Sequence, residues 1–174
     1  MPEQPSVSPL LDGFTLGAPA HGHAGVCCCP AVRADSQRKY IVKIIAIPAS
    51  QAQLDALLIT GAYKDSAEAA EYFRECKMLE QLSRRGGFVP YEGYQMEPMQ
   101  KSRTGYEVYL LSGFRLSLER YIHRHAVTHL EAVNLGIDLC TALAACREVG
   151  MLYVALKPSN VFISSKKEYK IGDL

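Results

Sequence analysis

A lysine, a glutamate, an asparagine and an aspartate carry most of the chemistry open to this 174-residue chain. Lys43 sits inside Tyr40-Ile41-Val42-Lys43-Ile44-Ile45-Ala46-Ile47, a run that is otherwise apolar. An unpaired ammonium in such surroundings is costly, so the amine calls for an anion, unless the strand is an edge and the amine lies in water. Glu75 is the natural candidate. On a helix its neighbours at i−3, i+3, i+4 and i+7 are Tyr72, Met78, Leu79 and Leu82, which sets a carboxylate within an apolar stripe. A strand lysine and a helix glutamate that each need a partner are expected to pair. The other half of the constellation is Leu156-Lys157-Pro158-Ser159-Asn160, followed by Ile171-Gly172-Asp173-Leu174. Lys157 can meet a phosphate as a point charge. Asn160 offers an amide oxygen and Asp173 a carboxylate, both hard ligands suited to Mg2+, and a short hairpin between them would bring them together.

The elements that must position these groups can be read from period and punctuation. Residues 1–12 are rich in Pro and Ser and are expected to form a flexible leader. Two β-rich runs, VCCCPAV and KYIVKIIAIP, flank the polar turn Ala34-Asp35-Ser36-Gln37 and predict a hairpin. Residues 48–64 give no clear pattern beyond a short helix candidate. A firmer helix is expected over 66–82, capped by Asp65 or Ser66 and stopped by Gly86-Gly87. Strands are expected at 88–97 and 106–111, and a short helix at 118–125. Thr128-His129-Leu130-Glu131 has the form of a capping box, opening a helix with apolar positions Leu130, Val133, Ile137, Cys140 and Leu143 or Ala144. Gly150 should end it. Short strands near 160–163 and 169–171 flank a Ser-Ser-Lys-Lys-Glu turn.

Bulk properties narrow the function classes. With 19 Lys+Arg against 18 Asp+Glu, net charge is +1, and the basic residues are scattered. Nucleic acid is therefore not the expected ligand. No apolar run reaches the roughly 18 residues of a membrane span, and MPEQPSVSPLLDGF is no signal peptide. A cytoplasmic, soluble protein is expected. The six cysteines lack CxxC spacing; Cys27, Cys28 and Cys29 are adjacent, and adjacent strand positions point to opposite faces. They read as small hydrophobes carrying thiols rather than as metal ligands or disulfides.

In order along the chain, Ile41-Val42-Lys43, a helix glutamate, LKPSN and GDL resemble the eukaryotic-type protein kinases, which also occur in bacteria. The likeness covers about residues 13–174. It implies an α+β protein-kinase-like fold: a complete β-rich small lobe over 13–111, then the first part of a helical large lobe over 112–174. It also implies ATP and Mg2+ as cofactors. By resemblance, Lys43 holds the α- and β-phosphates and Glu75 is its ion-pair partner. Asn160 and Asp173 hold the magnesium, and Lys157 neutralises the moving phosphoryl group. Leu110 or a neighbour lines the adenine pocket. Gly22 and Gly25, within Ala20-His21-Gly22-His23-Ala24-Gly25-Val26-Cys27, stand in a glycine-rich loop whose first glycine is replaced by Ala20. A plain turn between strands is the alternative for that stretch.

The departures bear on catalysis. Where the family has HRDLKPxN, this chain has Tyr153-Val154-Ala155-Leu156-Lys157-Pro158-Ser159-Asn160. Tyr153 replaces a histidine that packs the loop, and Val154 removes an arginine that receives an activation-loop phosphate. Ala155 replaces the aspartate that orients the substrate hydroxyl and takes its proton, a loss worth about 10²–10⁴-fold. The chain also stops at Leu174. A fragment of a longer kinase, or a domain needing a protein partner over the apolar face of its long helix, is expected. Three readings compete: a working Ser/Thr kinase, a nucleotide-binding pseudokinase acting as scaffold or regulator, and a truncated product. A scaffold without nucleotide and an aminoglycoside-kinase-type phosphotransferase are the alternatives from other classes; the latter usually carries a histidine near the position of Lys157-Pro158.

Overall fold

The computed structural model describes residues 9–21, 26–47, 52, 82, 85–98 and 105–172. The helix expected over 66–82, apart from Leu82, and the segment 48–64, apart from Ala52, lie outside the described residues. The fold is mixed α+β, with mostly antiparallel sheet and few helices. The chain divides into two compact units, Met1–Arg74 with Tyr91–Phe114, and Glu75–Pro90 with Arg115–Leu174.

The first unit is built on an antiparallel sheet of β1 (Phe14–Leu16), β2 (Ala20–His21), β3 (Val26–Arg33), β4 (Lys39–Ile47), β5 (Tyr91–Pro98) and β6 (Tyr106–Gly113). Its order is β1-β3-β4-β6-β5, with β2 also paired to β3. The expected hairpin is β3–β4, turning at Ala34–Ser36 with Gln37 in the left-handed region at φ 55°. Period 2 sorts the side chains of β4. Tyr40, Val42 and Ile44 face a core with Leu11, Cys29, Ala31 and Leu111, whereas Ile41, Lys43 and Ile45 face the other way. Phe14 meets the Tyr40 ring edge-on at 5.2 Å.

The end of the segment expected as a flexible leader belongs to this core. Pro9–Leu11 form a 3₁₀ turn, Leu11 is 1% exposed, and the Leu10 N–H donates to Gln95 Oε1 at 2.8 Å. A Cβ on Gly93 would come within 2.6 Å of Leu10 Cδ1, so that glycine admits the leucine.

The second unit carries β7 (Leu116–Ser117), α1 (Leu118–Ile122), α2 (His129–Glu148), β8 (Val161–Ile163) and β9 (Tyr169–Ile171). Its sheet runs β7-β8-β9, and Phe88 adds a parallel bridge to Ile171. The strand expected from 88 begins only at Tyr91, because Pro90 has no N–H for a ladder. Phe88 instead joins Leu82, Ala142, Cys146 and Ile171 in a buried cluster. A second cluster is Leu118, Val161 and Tyr169.

Helix α2 opens on the expected capping box. Thr128 Oγ1 accepts from the Glu131 N–H at 3.2 Å, and the Thr128 N–H donates to Glu131 Oε2 at 3.0 Å. It closes at Gly150, whose φ of 73° suits glycine. Its packed face is Leu135, Leu139, Ala142, Leu143 and Cys146. Leu130, Val133 and Ile137 are 68%, 44% and 59% exposed, so the stripe expected from sequence leaves the core. Among the described residues no helix is long and apolar enough to cross a membrane.

The cap ties unit stability to pH. Glu131 is held well below its ordinary value of 4.5, to about 2, chiefly by the Thr128 backbone N–H and then by the Tyr121 and Thr128 hydroxyls. A carboxylate with a depressed native pKa stabilises the fold fully above its unfolded value and loses that contribution as pH falls. The melting temperature is therefore expected to drop between about pH 4.5 and 2. Glu131→Gln should flatten that drop in melts recorded across the window; an unchanged slope would assign it elsewhere.

Candidate phosphate and metal site

In the first unit the register brings two of the expected residues together. The Cα partners of Lys43 are Cys28 on β3 and Leu110 on β6. Opposite residues in an antiparallel pair share a face, so Lys43, Cys28 and Leu110 form one row across the sheet. Lys43 is half-buried and Leu110 is 3% exposed. Val108, fully buried, follows on the same face. A lysine set among apolar neighbours is what a phosphate-holding amine needs, because the surroundings strengthen its pull on an anion. Glu75, its expected partner, lies outside the described residues.

Gly22 and Gly25 also lie outside them, but their flanks are described. Ala20 pairs with Cys28 and His21 with Cys27, antiparallel, so the glycine segment connects two neighbouring strands. Both the glycine-loop reading and the plain-turn reading require that.

In the second unit a chain of hydrogen bonds organises the segment Tyr153–Gly172. Lys157 is exposed, and its carbonyl accepts from the Asn160 N–H at 2.9 Å, closing the 3₁₀ turn Pro158–Asn160. Proline at the first position suits such a turn, since its missing N–H would have been unsatisfied there. Asn160, 7% exposed, donates from Nδ2 to the Ala155 carbonyl at 3.0 Å. Its remaining side-chain atom, Oδ1, is the hard oxygen type that magnesium takes. The Asn160 carbonyl in turn accepts from the Gly172 N–H at 2.9 Å. The β8–β9 hairpin thus returns the chain to Asn160 at the residue just before Asp173. Asp173 itself lies outside the described residues.

Tyr153 ties the loop to the end of the hairpin. Its hydroxyl donates to the Gly172 carbonyl at 2.7 Å, and its ring packs on the cluster around Phe88 and Ile171. Gly172 is thereby held through its N–H by Asn160 and through its carbonyl by Tyr153. Glycine is required, because a Cβ would lie 2.6 Å from Phe162 Cε2 and 3.3 Å from Val89 Cγ2. An aromatic residue alternating with outward Leu152 and Val154, each 82% exposed, was the signal available for this role. Ala155 is half-buried and brings no polar side-chain atom to the loop.

Other groups take structural roles. Asp138 Oδ2 accepts from the Tyr169 N–H at 2.8 Å and so fastens β9 to α2. Tyr109 donates to Glu107 at 2.7 Å, and burial, then that carboxylate, pushes its phenol above its ordinary value. Among the described residues, no group of three or more His, Cys, Asp or Glu gathers as a metal cluster. Compared with known proteins, the chain matches no protein-family model and no curated protein.

Proposed function

We propose that the chain is a protein-kinase-like domain, cytoplasmic, that binds Mg-ATP and has lost efficient transfer to protein Ser/Thr acceptors. The observation that carries this reading is the lock around Asn160. Its side chain is anchored on Ala155, the position of the missing base, and its backbone is bonded to Gly172, directly ahead of Asp173. An asparagine amide oxygen and an aspartate carboxylate, which the sequence places right after Gly172, are the donor types a magnesium site requires. The Lys43–Leu110 row, on the sheet unit, supports a phosphate amine beside an apolar wall for a base. Lys43 would hold the phosphates, Asn160 and Asp173 the magnesium, and Lys157 would face the terminal phosphate. Bound magnesium would neutralise phosphate charge; the residues here would orient the nucleotide around it.

Titration with a fluorescent ATP analogue and Mg2+ tests the reading. Saturable binding is expected, weakened about 10–100-fold by Lys43→Met, the size of one lost charge-assisted contact. Equal affinity in native and Lys43→Met protein would sink the assignment.

A second reading, a protein-binding scaffold, is favoured by a separate observation. Leu130, Val133 and Ile137 on α2, and Leu152 and Val154, are large apolar side chains left in water. The two readings are compatible: a pseudokinase can bind nucleotide and present that surface to a partner protein.

A further inference from the structure

Arg33 and Arg38 face each other at the turn end of the β3–β4 hairpin, one step beyond the Val32–Lys39 pair. The Arg33 N–H donates to the Arg38 carbonyl at 3.0 Å, and the Gln37 N–H to the Arg33 carbonyl at 2.8 Å, so the turn between them is closed. Opposite positions in an antiparallel pair share a face, with Cβ atoms about 4.5–5.5 Å apart, and like charges set so repel. Both cations are nevertheless held in place. The Arg33 guanidinium lies over the Phe14 ring at 5.8 Å, and that of Arg38 over the Tyr40 ring at 5.7 Å. The two rings are in edge contact, and Tyr40 is buried. Two cations that repel one another, each seated on a fixed ring, call for an anion between them.

We propose that Arg33 and Arg38 form a docking site for a phosphate monoester carried on a peptide segment of a partner protein. Charge sets the class of ligand. A phosphate monoester carries nearly two negative charges at neutral pH and three acceptor oxygens, which suits two guanidinium forks better than a carboxylate does. Shape sets the carrier. The site is an exposed hairpin tip, not a cleft that buries a small molecule, so the ligand needs contacts beyond its phosphate. Exposed Lys39 adds charge beside the pair. Its carbonyl accepts from the Phe114 N–H at 3.0 Å, and the Phe114 side chain, 46% exposed, offers apolar surface. Asp35 is the resident competitor, its carboxylate 3.2 Å from Arg33 Nε. Both side chains of that pair are at least half in water, so it is weak and gives way to a stronger anion. Asp12, also exposed, is the other acidic residue near this end of the sheet, where the Gly13 carbonyl accepts from the Ala34 N–H. Tyr40 and Lys43 face opposite ways on β4, so the site is independent of the nucleotide reading.

The test screens the 174-residue chain, at physiological salt and with excess Mg-ATP, against an array of peptides with a central phosphoserine or phosphothreonine and randomised flanks. The strongest binder is then titrated by fluorescence anisotropy. It is expected to bind about 10-fold or more tighter than its unphosphorylated form. Arg33→Lys and Arg38→Lys should each weaken it about 10-fold, because lysine keeps the charge and loses the fork. Asp35→Asn should tighten it by up to about 5-fold, by freeing Arg33. Lysine keeps an alkyl stem over the ring, so these variants are expected to fold, as melts will check; Asp35→Asn touches neither ring and gives a second, separate readout. An array without a phosphate-dependent binder would overturn the proposal, as would lysine variants that bind like the native chain. So would free O-phosphoserine or a single-stranded oligonucleotide binding as tightly as the peptide, or displacement of the peptide by Mg-ATP.

Discussion

Replacing Ala155 with aspartate is expected to raise Mg-ATP turnover by about 10²–10⁴-fold, the usual worth of a positioned base. The backbone at this position is already anchored, because the Ala155 carbonyl accepts from Asn160 Nδ2 at 3.0 Å. An aspartate there would stand beside Asn160, the residue proposed to hold magnesium. Burial is only partial, so a carboxylate keeps part of its hydration and stays ionised near neutral pH. Exposed Lys157, two residues on, adds favourable charge. ADP release should be measured with the native chain, Ala155→Asp, and Ala155→Asp/Lys43→Met. The double variant is expected to fall back to the native level, since an added base cannot act on an unheld nucleotide. If Ala155→Asp binds nucleotide and turns over no faster, the loss of catalysis extends beyond one carboxylate.

The second large effect concerns the support of the hairpin. Phe88→Ala is expected to cost about 3–5 kcal/mol, the range for removing a buried ring. Against a total stability of about 5–15 kcal/mol, that approaches collapse of the second unit. Phe88 is 1% exposed and packs on Leu82, Ala142, Cys146 and Ile171. Its neighbours carry the bridge to β9: the Val89 N–H donates to the Ile171 carbonyl, and the Ile171 N–H to the Gly87 carbonyl, both at 2.8 Å. Losing the ring therefore loosens β9, and with it Gly172 and Asn160. Phe88→Leu keeps most of the volume and is expected to cost under about 1.5 kcal/mol. Urea unfolding of the three proteins separates the cases. A Phe88→Ala protein within about 1 kcal/mol of native would mean that this cluster is not what holds the unit together.

Much of this scaffold is legible in the chain because local signals agree. The β-branched run Lys39–Ile47, the Thr128–Glu131 capping box, Gly150 and the polar turn before Tyr169 each specify their element from neighbouring residues alone. The placement of Lys43 beside Leu110 follows from the pairing of β4 with β6. What was not legible depends on tertiary contacts or on a second period. Helix α2 is apolar nearly all round, so its pattern could not tell the packed face of Leu135, Leu139 and Ala142 from the open one of Leu130, Val133 and Ile137. Leu10 and Leu11 sit at the end of a Pro/Ser-rich stretch whose composition reads as leader, yet they complete the sheet's core. Glu75, Gly22, Gly25 and Asp173 lie outside the described residues, so the ion pair and the glycine loop, like both magnesium ligands, stand as expectations from sequence.

The most direct measurement of the central claim is a thermal melt of the 174-residue chain with and without Mg-ATP. A ligand that binds only the folded state stabilises it by about 2.7 kcal/mol at a hundred times its dissociation constant. For a chain of this size that amounts to about 5–10 °C. The account predicts such a rise, dependent on Mg2+ and absent in Lys43→Met. A cooperative melt that Mg-ATP leaves unmoved at millimolar concentration would contradict it.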